Sequence, residues 1–266
     1  MSSPVPPIVL TFAASDPTGG AGLQADLLTL ASLGCHPLSV VTGLTVQDTS
    51  GVERMQAVDA EWVAAQARRL LAETRVDAFK LGVLGSSRNV AAVASILGEH
   101  AEVPVVFDPV LASGRGDPLA ADDLLGALRE MIVPQATVMT PNSVEARRLG
   151  GESSLAGCAA RLIDMGAEYV LVTGTHEETP EVVNTLYDGS GVVREDRWPR
   201  LPGSYHGSGC TLASAVAAAL ANGQQMPEAV HEAQEFTWQA LSGGFAAGKG
   251  QLLPDRFFWS REAAGK

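Results

Sequence analysis

The sequence predicts an α/β fold: a single domain over residues 1–266, layered α/β/α around a mostly parallel central sheet. Three observations carry this. Short apolar runs closed by glycine or proline alternate with longer alanine-rich segments along most of the chain. The runs VVF at 105–107 and VLV at 170–172 are apolar without alternation, as expected of strands covered by helices on both faces. At 266 residues, with 46% apolar and 18% charged side chains, the chain holds enough apolar material for one large core.

The elements follow in order. The run at 7–14, PIVLTFAA, reads as the first strand and leads through a glycine-rich turn to a helix over 23–34. A strand at 38–47 precedes a helix at 59–73, and a strand at 77–85 precedes a helix at 88–100. Strand 103–110 is followed by helix 121–135, strand 137–142 by helix 143–150, and a helix at 155–166 leads into strand 167–175. Beyond Gly174 the alternation stops, and 182–202 reads as a hairpin turning at Asp188-Gly189-Ser190-Gly191. A last apolar helix follows Cys210 over 211–223. Open parallel sheets hold ligands where strand carboxyl ends meet helix N-termini, so the strand-end motifs are expected to converge on one cleft.

Composition narrows the function classes. With 18 Lys+Arg against 30 Asp+Glu the net charge is −12, and no basic run occurs, which argues against a nucleic-acid partner. The start, MSSPVPPIVLTFAAS, lacks a basic segment and reads as a first strand rather than a signal peptide. No apolar stretch is long enough to span a membrane. Cys35, Cys158 and Cys210 are odd in number and far apart, which disfavours a disulfide framework or a paired-cysteine zinc site and makes a reducing cytoplasm the expected setting.

Three glycine-rich stretches invite a phosphate-binding reading. DPTGGAGLQAD at 16–26 lacks G-x-G-x-x-G spacing, and Asp16 would repel a diphosphate, so a dinucleotide fingerprint fits poorly. GGFAAGKG at 243–250 matches G-x-x-x-x-G-K, but Gly250 stands where a Ser or Thr is needed, no strand precedes it, and it is expected to be a mobile C-terminal loop. HGSGC at 206–210 is the strongest candidate. Small residues at Gly207, Ser208 and Gly209 let successive N–H groups point into one concavity at the positive end of the following helix, making an anion hole. Cys210 at that helix start is expected to have a depressed pKa and to serve as a proton acceptor. A small buried cysteine opening a core helix is the alternative.

Oxygen ligands stand at neighbouring strand ends. FDPV places Asp108 at the end of one strand, and TPNSVEA places Asn142 and Glu145 just past another. If residue 142 opens a helix, Glu145 lies one turn along it and the side chains of both residues can face the same cleft, and the set with Asp108 suits a partly hydrated Mg²⁺ shared with substrate phosphates. Asn142 and Glu145 also fit a capping-box variant, and the two roles are compatible. An anion hole beside a Mg²⁺ site points to phosphoryl transfer from a nucleotide.

DPTGGAGLQAD, VQDTSGV, FDPVLASGRGDPL, TPNSVEA and HGSGCTLASA, in this order and roughly this spacing, resemble the hydroxymethylpyrimidine and hydroxymethylpyrimidine-phosphate kinases of thiamine biosynthesis, in the ribokinase-like superfamily. The resemblance covers nearly the whole chain. It implies a ribokinase-like fold and an ATP- and Mg²⁺-dependent kinase acting on 4-amino-5-hydroxymethyl-2-methylpyrimidine or its monophosphate, working as a homodimer. It implies that Asp26 and Gln47 hydrogen-bond the aminopyrimidine beside Gly19, that Asn142 and Glu145 form the N-x-x-E magnesium and phosphate motif, and that Gly207, Ser208, Gly209 and Cys210 are the anion hole and catalytic base. Sugar kinases of the superfamily usually carry aspartate where Cys210 stands.

The chain also departs from this pattern. Thr173 stands where the family usually has a lysine facing the nucleotide, and Ser204-Tyr205 precedes HG in place of the usual Asn-Thr or Asp-Thr. Arg115, in SGRGDP, is a candidate to replace the lost charge at the ATP site, or a solvent-exposed loop arginine. Lys80, in FKLG, is expected to form a structural ion pair. A pyridoxal kinase of the same fold and a catalytically weak pyrimidine-binding regulator are the rival readings.

Overall fold

The computed structural model describes residues 5–111 and 122–264. Along the chain lie β1 (Ile8–Ser15), α1 (Gly22–Ser32), β2 (His36–Asp48), β3 (Gly51–Ala57), α2 (Ala60–Leu71), β4 (Ala78–Leu81) and α3 (Ser87–Gly98). Next come β5 (Val105–Phe107), α4 (Asp122–Ala127), β6 (Val138–Met139), α5 (Ser143–Gly150), α6 (Leu155–Asp164) and β7 (Tyr169–Thr173). The hairpin β8 (Glu181–Asp188) and β9 (Gly191–Pro199) and the helices α7 (Ser208–Ala221), α8 (Met226–Ser242) and α9 (Phe258–Ala264) complete it.

The strands form one nine-stranded sheet in the order β3-β2-β1-β4-β5-β6-β7-β8-β9. From β2 through β1 and β4 to β7 neighbouring strands are parallel. The antiparallel edges are β3 on one side and the β8–β9 hairpin on the other, the latter turning at the expected place. The strand β3 is an addition to what the sequence reading placed there.

Period-two alternation sends successive strand residues to opposite layers. Leu10, Phe79, Phe107, Met139 and Val170 pack with α2 to α6, burying Val63, Val93, Ile96, Leu149 and Leu162. Their neighbours Val9, Ala78, Val106, Val138 and Leu171 pack on the other face with Leu30 of α1, Val216 of α7 and Val230 of α8. This is the expected three-layer α/β/α domain. The order reverses between β1 and β4, so the crevice at the carboxyl ends of these strands is the place a parallel sheet offers to a ligand.

Candidate active site

The loop after β1 is organised by one carboxylate. Asp16, only 2% exposed, accepts hydrogen bonds from Thr18 N at 2.8 Å, Thr18 Oγ1 at 2.9 Å and Ala21 N at 2.7 Å. Burial pushes its pKa up, but these bonds and the His206 contact outweigh it and hold the carboxyl at about 2. Its other partner comes from the opposite end of the chain: His206 Nε2 lies 2.8 Å from Asp16 Oδ2. The same ring nitrogen lies 3.2 Å from Gln47 Nε2. Gln47 sits beside an irregularity in the β2–β3 pairing, where a bulge re-aims a side chain. Gly19, at φ +75° in this loop, takes a backbone conformation that favours glycine.

The first and last glycine motifs are therefore in contact. Gly207, the residue before α7, has φ +83°, and a Cβ on it would run into the carbonyl oxygen of Gly20. The first-turn N–H groups of Ser208, Gly209 and Cys210 have no intrahelical acceptor, as at any helix start, and lie where the sequence places the candidate anion hole.

Behind the cleft lies a buried charged cluster. Lys80 Nζ is 2.8 Å from Asp26 Oδ1 and 4.0 Å from Asp108 Oδ2, with the Lys80 and Asp26 side chains wholly buried. This is the ion pair expected of Lys80. Asp26 also accepts from Thr11 Oγ1 at 2.7 Å and Ser214 Oγ at 2.8 Å, so it ties β1, β4 and α7 together. The sequence places Asp26 against the aminopyrimidine; here its carboxylate is 0% exposed and bonded to these protein donors.

The carboxylates at the other strand ends are held against their charge. Asp108 is 3% exposed, its Oδ2 lacks a hydrogen-bond partner, and burial together with Asp26 raises its pKa to about 6 against the pull of Lys80 and a hydrogen bond with Cys210. Asn142 opens α5 with a complete capping box: its Oδ1 accepts from Val144 N at 3.0 Å and Glu145 N at 2.9 Å, and Glu145 Oε2 accepts from Asn142 N at 3.0 Å. Glu145 is pushed up to about 8 by burial and by Asp108. Two buried carboxyl groups with raised pKa values, one of them raised in part by the other, are where a cation would relieve the cost of burying charge. Among the described residues no group of three or more His, Cys, Asp or Glu forms a metal cluster, so any cation here would take its other ligands from water or phosphate. Thr173, at the end of β7, pairs with Asn142 across an isolated parallel bridge, its N donating to Pro141 O at 2.9 Å. Arg115 lies outside the described residues.

Cys210 departs from the expected electrostatics. Its thiol pKa is raised to about 12, first by burial and then by Asp108 and Asp26, while Lys80 and the Gly22 N–H act the other way. The helix start alone suggests a thiolate; burial, with the acids brought in from α1 and β5 adding to it, reverses the sign.

The segment 243–250 is also not the free loop expected from its glycines. Gly250 N donates to Thr49 Oγ1 at 3.0 Å and Gln251 N to Thr49 O at 2.8 Å, so the segment covers the turn between β2 and β3. Beyond it, Leu252 pairs with Tyr205, His206 N donates to Leu252 O at 2.9 Å, and Gln251 Nε2 donates to Ser204 Oγ at 2.7 Å. Ser204 and Tyr205 thus join the C-terminal segment to the α7 motif. The sequence reading assigned no site role to Asp16, His206 or Arg256, which structure alone brings to the cleft.

The phosphomethylpyrimidine kinase family profile matches residues 16–255, from the carboxylate that shapes the first loop to the residue before Arg256. The chain belongs to the phosphomethylpyrimidine kinase family. Among relatives of this family, a hydroxymethylpyrimidine/phosphomethylpyrimidine kinase of Streptomyces coelicolor is 42% identical over 254 residues, covering 92% of each chain. The thiamine biosynthesis bifunctional protein ThiED of Geobacter sulfurreducens is 38% identical over 247 residues, 91% of this chain and 50% of that protein. Among solved structures, an ADP complex of Bacillus subtilis pyridoxal kinase aligns with TM-score 0.87 and 29% identity over 96% of this chain and 99% of that one. A phosphomethylpyrimidine kinase from Clostridium difficile 630 aligns with TM-score 0.77 and 28% identity over 88% of this chain and 99% of that one.

Proposed function

We propose that this chain is an ATP-dependent kinase that phosphorylates 4-amino-5-hydroxymethyl-2-methylpyrimidine, its monophosphate, or both, in thiamine biosynthesis. The observation that carries the reading is the meeting of the α7 start with the Asp108–Glu145 pair at the carboxyl ends of parallel strands, in a chain of the phosphomethylpyrimidine kinase family.

Phosphoryl transfer needs positioning, charge neutralisation and a path for the acceptor's proton. The substrate hydroxyl oxygen forms the new P–O bond as the bond to the ADP leaving group breaks. The N–H groups of Ser208, Gly209 and Cys210 face the charge that develops on the transferring group. Gln47, with Gly19 beside it, presents a polar edge to a flat heterocycle, and Asp26 acts from behind by fixing Lys80 and α7. Asn142 and Thr173, adjacent at the ends of β6 and β7, form the nucleotide side.

Asp108 and Glu145 fit Mg²⁺, because both are buried carboxyl groups with raised pKa values and Asp108 Oδ2 accepts no hydrogen bond. Bound there, Mg²⁺ would supply the charge neutralisation that nucleotide phosphates require. Burial and the charge of Asp108 keep Cys210 a thiol although Lys80 acts the other way; with the Asp108 charge offset, its sulfur moves toward the thiolate that accepts the hydroxyl proton. The homodimer and cytoplasmic setting implied by the family resemblance belong to the same proposal.

Incubation with ATP, Mg²⁺ and the pyrimidine alcohol, followed by mass spectrometry, tests the reading. A pyrimidine monophosphate, or a diphosphate after longer incubation, supports it; unchanged alcohol and unchanged monophosphate refute it. The likeness to pyridoxal kinase structures makes pyridoxal the control substrate.

A further inference from the structure

Arg256 is a buried cation that the reaction outlined above does not use. It is 3% exposed, just before α9. Its guanidinium donates to three neutral oxygens: Gly20 O at 2.6 Å, Gly19 O at 3.3 Å and Thr211 Oγ1 at 3.1 Å. Among the described residues no carboxylate comes within ion-pair distance of it. The acids nearby are committed elsewhere. Asp255 pairs with Arg261 at 2.6 Å, Asp16 with His206, and Asp26 with Lys80.

A buried charge is ordinarily paired, because leaving water without a counterion is costly. Burial pulls the pKa of Arg256 down, yet only to about 10, as Cys210, Asp26 and Asp16 act the other way, so the group is a cation at neutral pH. Its position explains what an unpaired cation could do. The Gly20 carbonyl that receives its shortest bond is the atom against which Gly207 turns, where no Cβ fits. Thr211, its third partner, lies in the first turn of α7 and donates back to Gly207 O at 2.8 Å. One side chain therefore fixes both walls of the anion hole, the loop after β1 and the start of α7, while adding a whole positive charge behind a helix end worth about half a charge.

We propose that Arg256 is a positioning residue of phosphoryl transfer, which holds Gly20 and Thr211 in the register that shapes the anion hole and lends that hole a positive charge no carboxylate neutralises. This rests on the kinase reading for its catalytic consequence, but not for its anion-binding consequence. The two are measured separately.

The test compares Arg256→Lys, which keeps the charge and loses the fork of donors, with Arg256→Gln, which keeps an amide donor and loses the charge. In the wild-type protein and both variants, inorganic phosphate binding is measured by titration calorimetry, kcat and KM by ADP release, and Tm by thermal unfolding. The expected result is that Arg256→Gln loses about 100-fold in kcat, as removal of a transition-state donor does, with KM for the pyrimidine within about threefold and phosphate binding weakened about tenfold. Arg256→Lys is expected to retain phosphate binding and most of kcat even where its Tm falls as far as that of the Gln variant.

Equal losses of kcat in the two variants, tracking Tm, would overturn the charge-bearing role and leave Arg256 a structural brace. If Arg256→Gln does not fold, the Lys variant decides: kcat and phosphate affinity per folded molecule within about threefold of wild type despite a lowered Tm support the proposal, and a fall of about 100-fold per folded molecule despite retained charge overturns it. If the wild-type protein binds phosphate with the expected charge dependence but releases no ADP, the kinase reading and the catalytic part of the Arg256 assignment fail, and its anion-binding part stands.

Discussion

His206 Nε2 lies 2.8 Å from Asp16 Oδ2, joining residues 190 positions apart and closing the last glycine motif onto the first. The contact fixes the loop after β1 against the start of α7, and Gln47 rests on the same imidazole nitrogen. Asp16→Ala removes the acceptor of four hydrogen bonds in a buried turn, so a loss on the order of 3 kcal/mol is expected. Denaturant unfolding at neutral pH checks this. The KM for the pyrimidine should rise more than the KM for ATP; an equal rise in both would mean the loop does not shape the pyrimidine side.

Lys80 and Asp26, 2.8 Å apart and wholly buried, stabilise the fold only as a pair. Lys80→Met leaves the Asp26 carboxylate buried without its cation, and breaking such a pair costs about 3–5 kcal/mol. The double variant Lys80→Met/Asp26→Asn should recover a large part of that loss, since the Asp26 charge goes with its cation and only Asp108, 4.0 Å from Lys80, is left without it. Unfolding free energies arranged as a double-mutant cycle measure the coupling. Additive losses would show that the pair is not the energetic unit that the 2.8 Å contact indicates.

Glu145 makes the free protein less stable as pH rises. Its pKa goes from 4.5 to about 8 on folding, so between those values the folded state binds more protons than the unfolded one and stability falls with increasing pH. Glu145→Gln should therefore raise Tm at pH 8 relative to wild type, with little difference at pH 4, while activity is lost. A Tm difference that does not grow across this window would contradict the raised pKa.

The reactivity of Cys210 should report the acids around it. Cys35 and Cys158 are buried, whereas Cys210 is half-buried, so alkylation is expected mainly at Cys210. With its thiol pushed up to about 12, labelling at pH 8 should be much slower than for free cysteine. Asp108→Asn removes a neighbouring negative charge and should speed labelling, by mass spectrometry of the modified peptide. Faster labelling in wild type than in Asp108→Asn would reverse the assigned sign.

What the sequence revealed follows how local each feature is. Strand β5 and strand β7 are legible because their residues are apolar on both faces, and the Asn142–Glu145 box because its bonds span a single helical turn. Strand β3, reading GVERMQA, carries too little buried apolar surface to stand out from a loop. The Asp16–His206 pair and the Arg256 fork depend on tertiary closure over the whole chain, so no local spacing announces them. Cys210 shows the limit most clearly. A helix start argues for a depressed thiol pKa, and burial of the thiol, helped by two carboxylates from distant segments, overrides it. For Asp26, residue type suggests a ring-reading carboxylate, whereas burial among Thr11, Lys80 and Ser214 makes it a fastening between layers.

The central claim is phosphoryl transfer to a pyrimidine hydroxymethyl group at the start of α7. ADP release, followed in parallel with the pyrimidine alcohol, its monophosphate and pyridoxal, for wild type and Cys210→Ala, tests it most directly. Release with either pyrimidine above that with pyridoxal, lost in Cys210→Ala while pyrimidine binding persists, is the predicted result. Tight pyrimidine binding with no ADP release from the wild-type protein would contradict it.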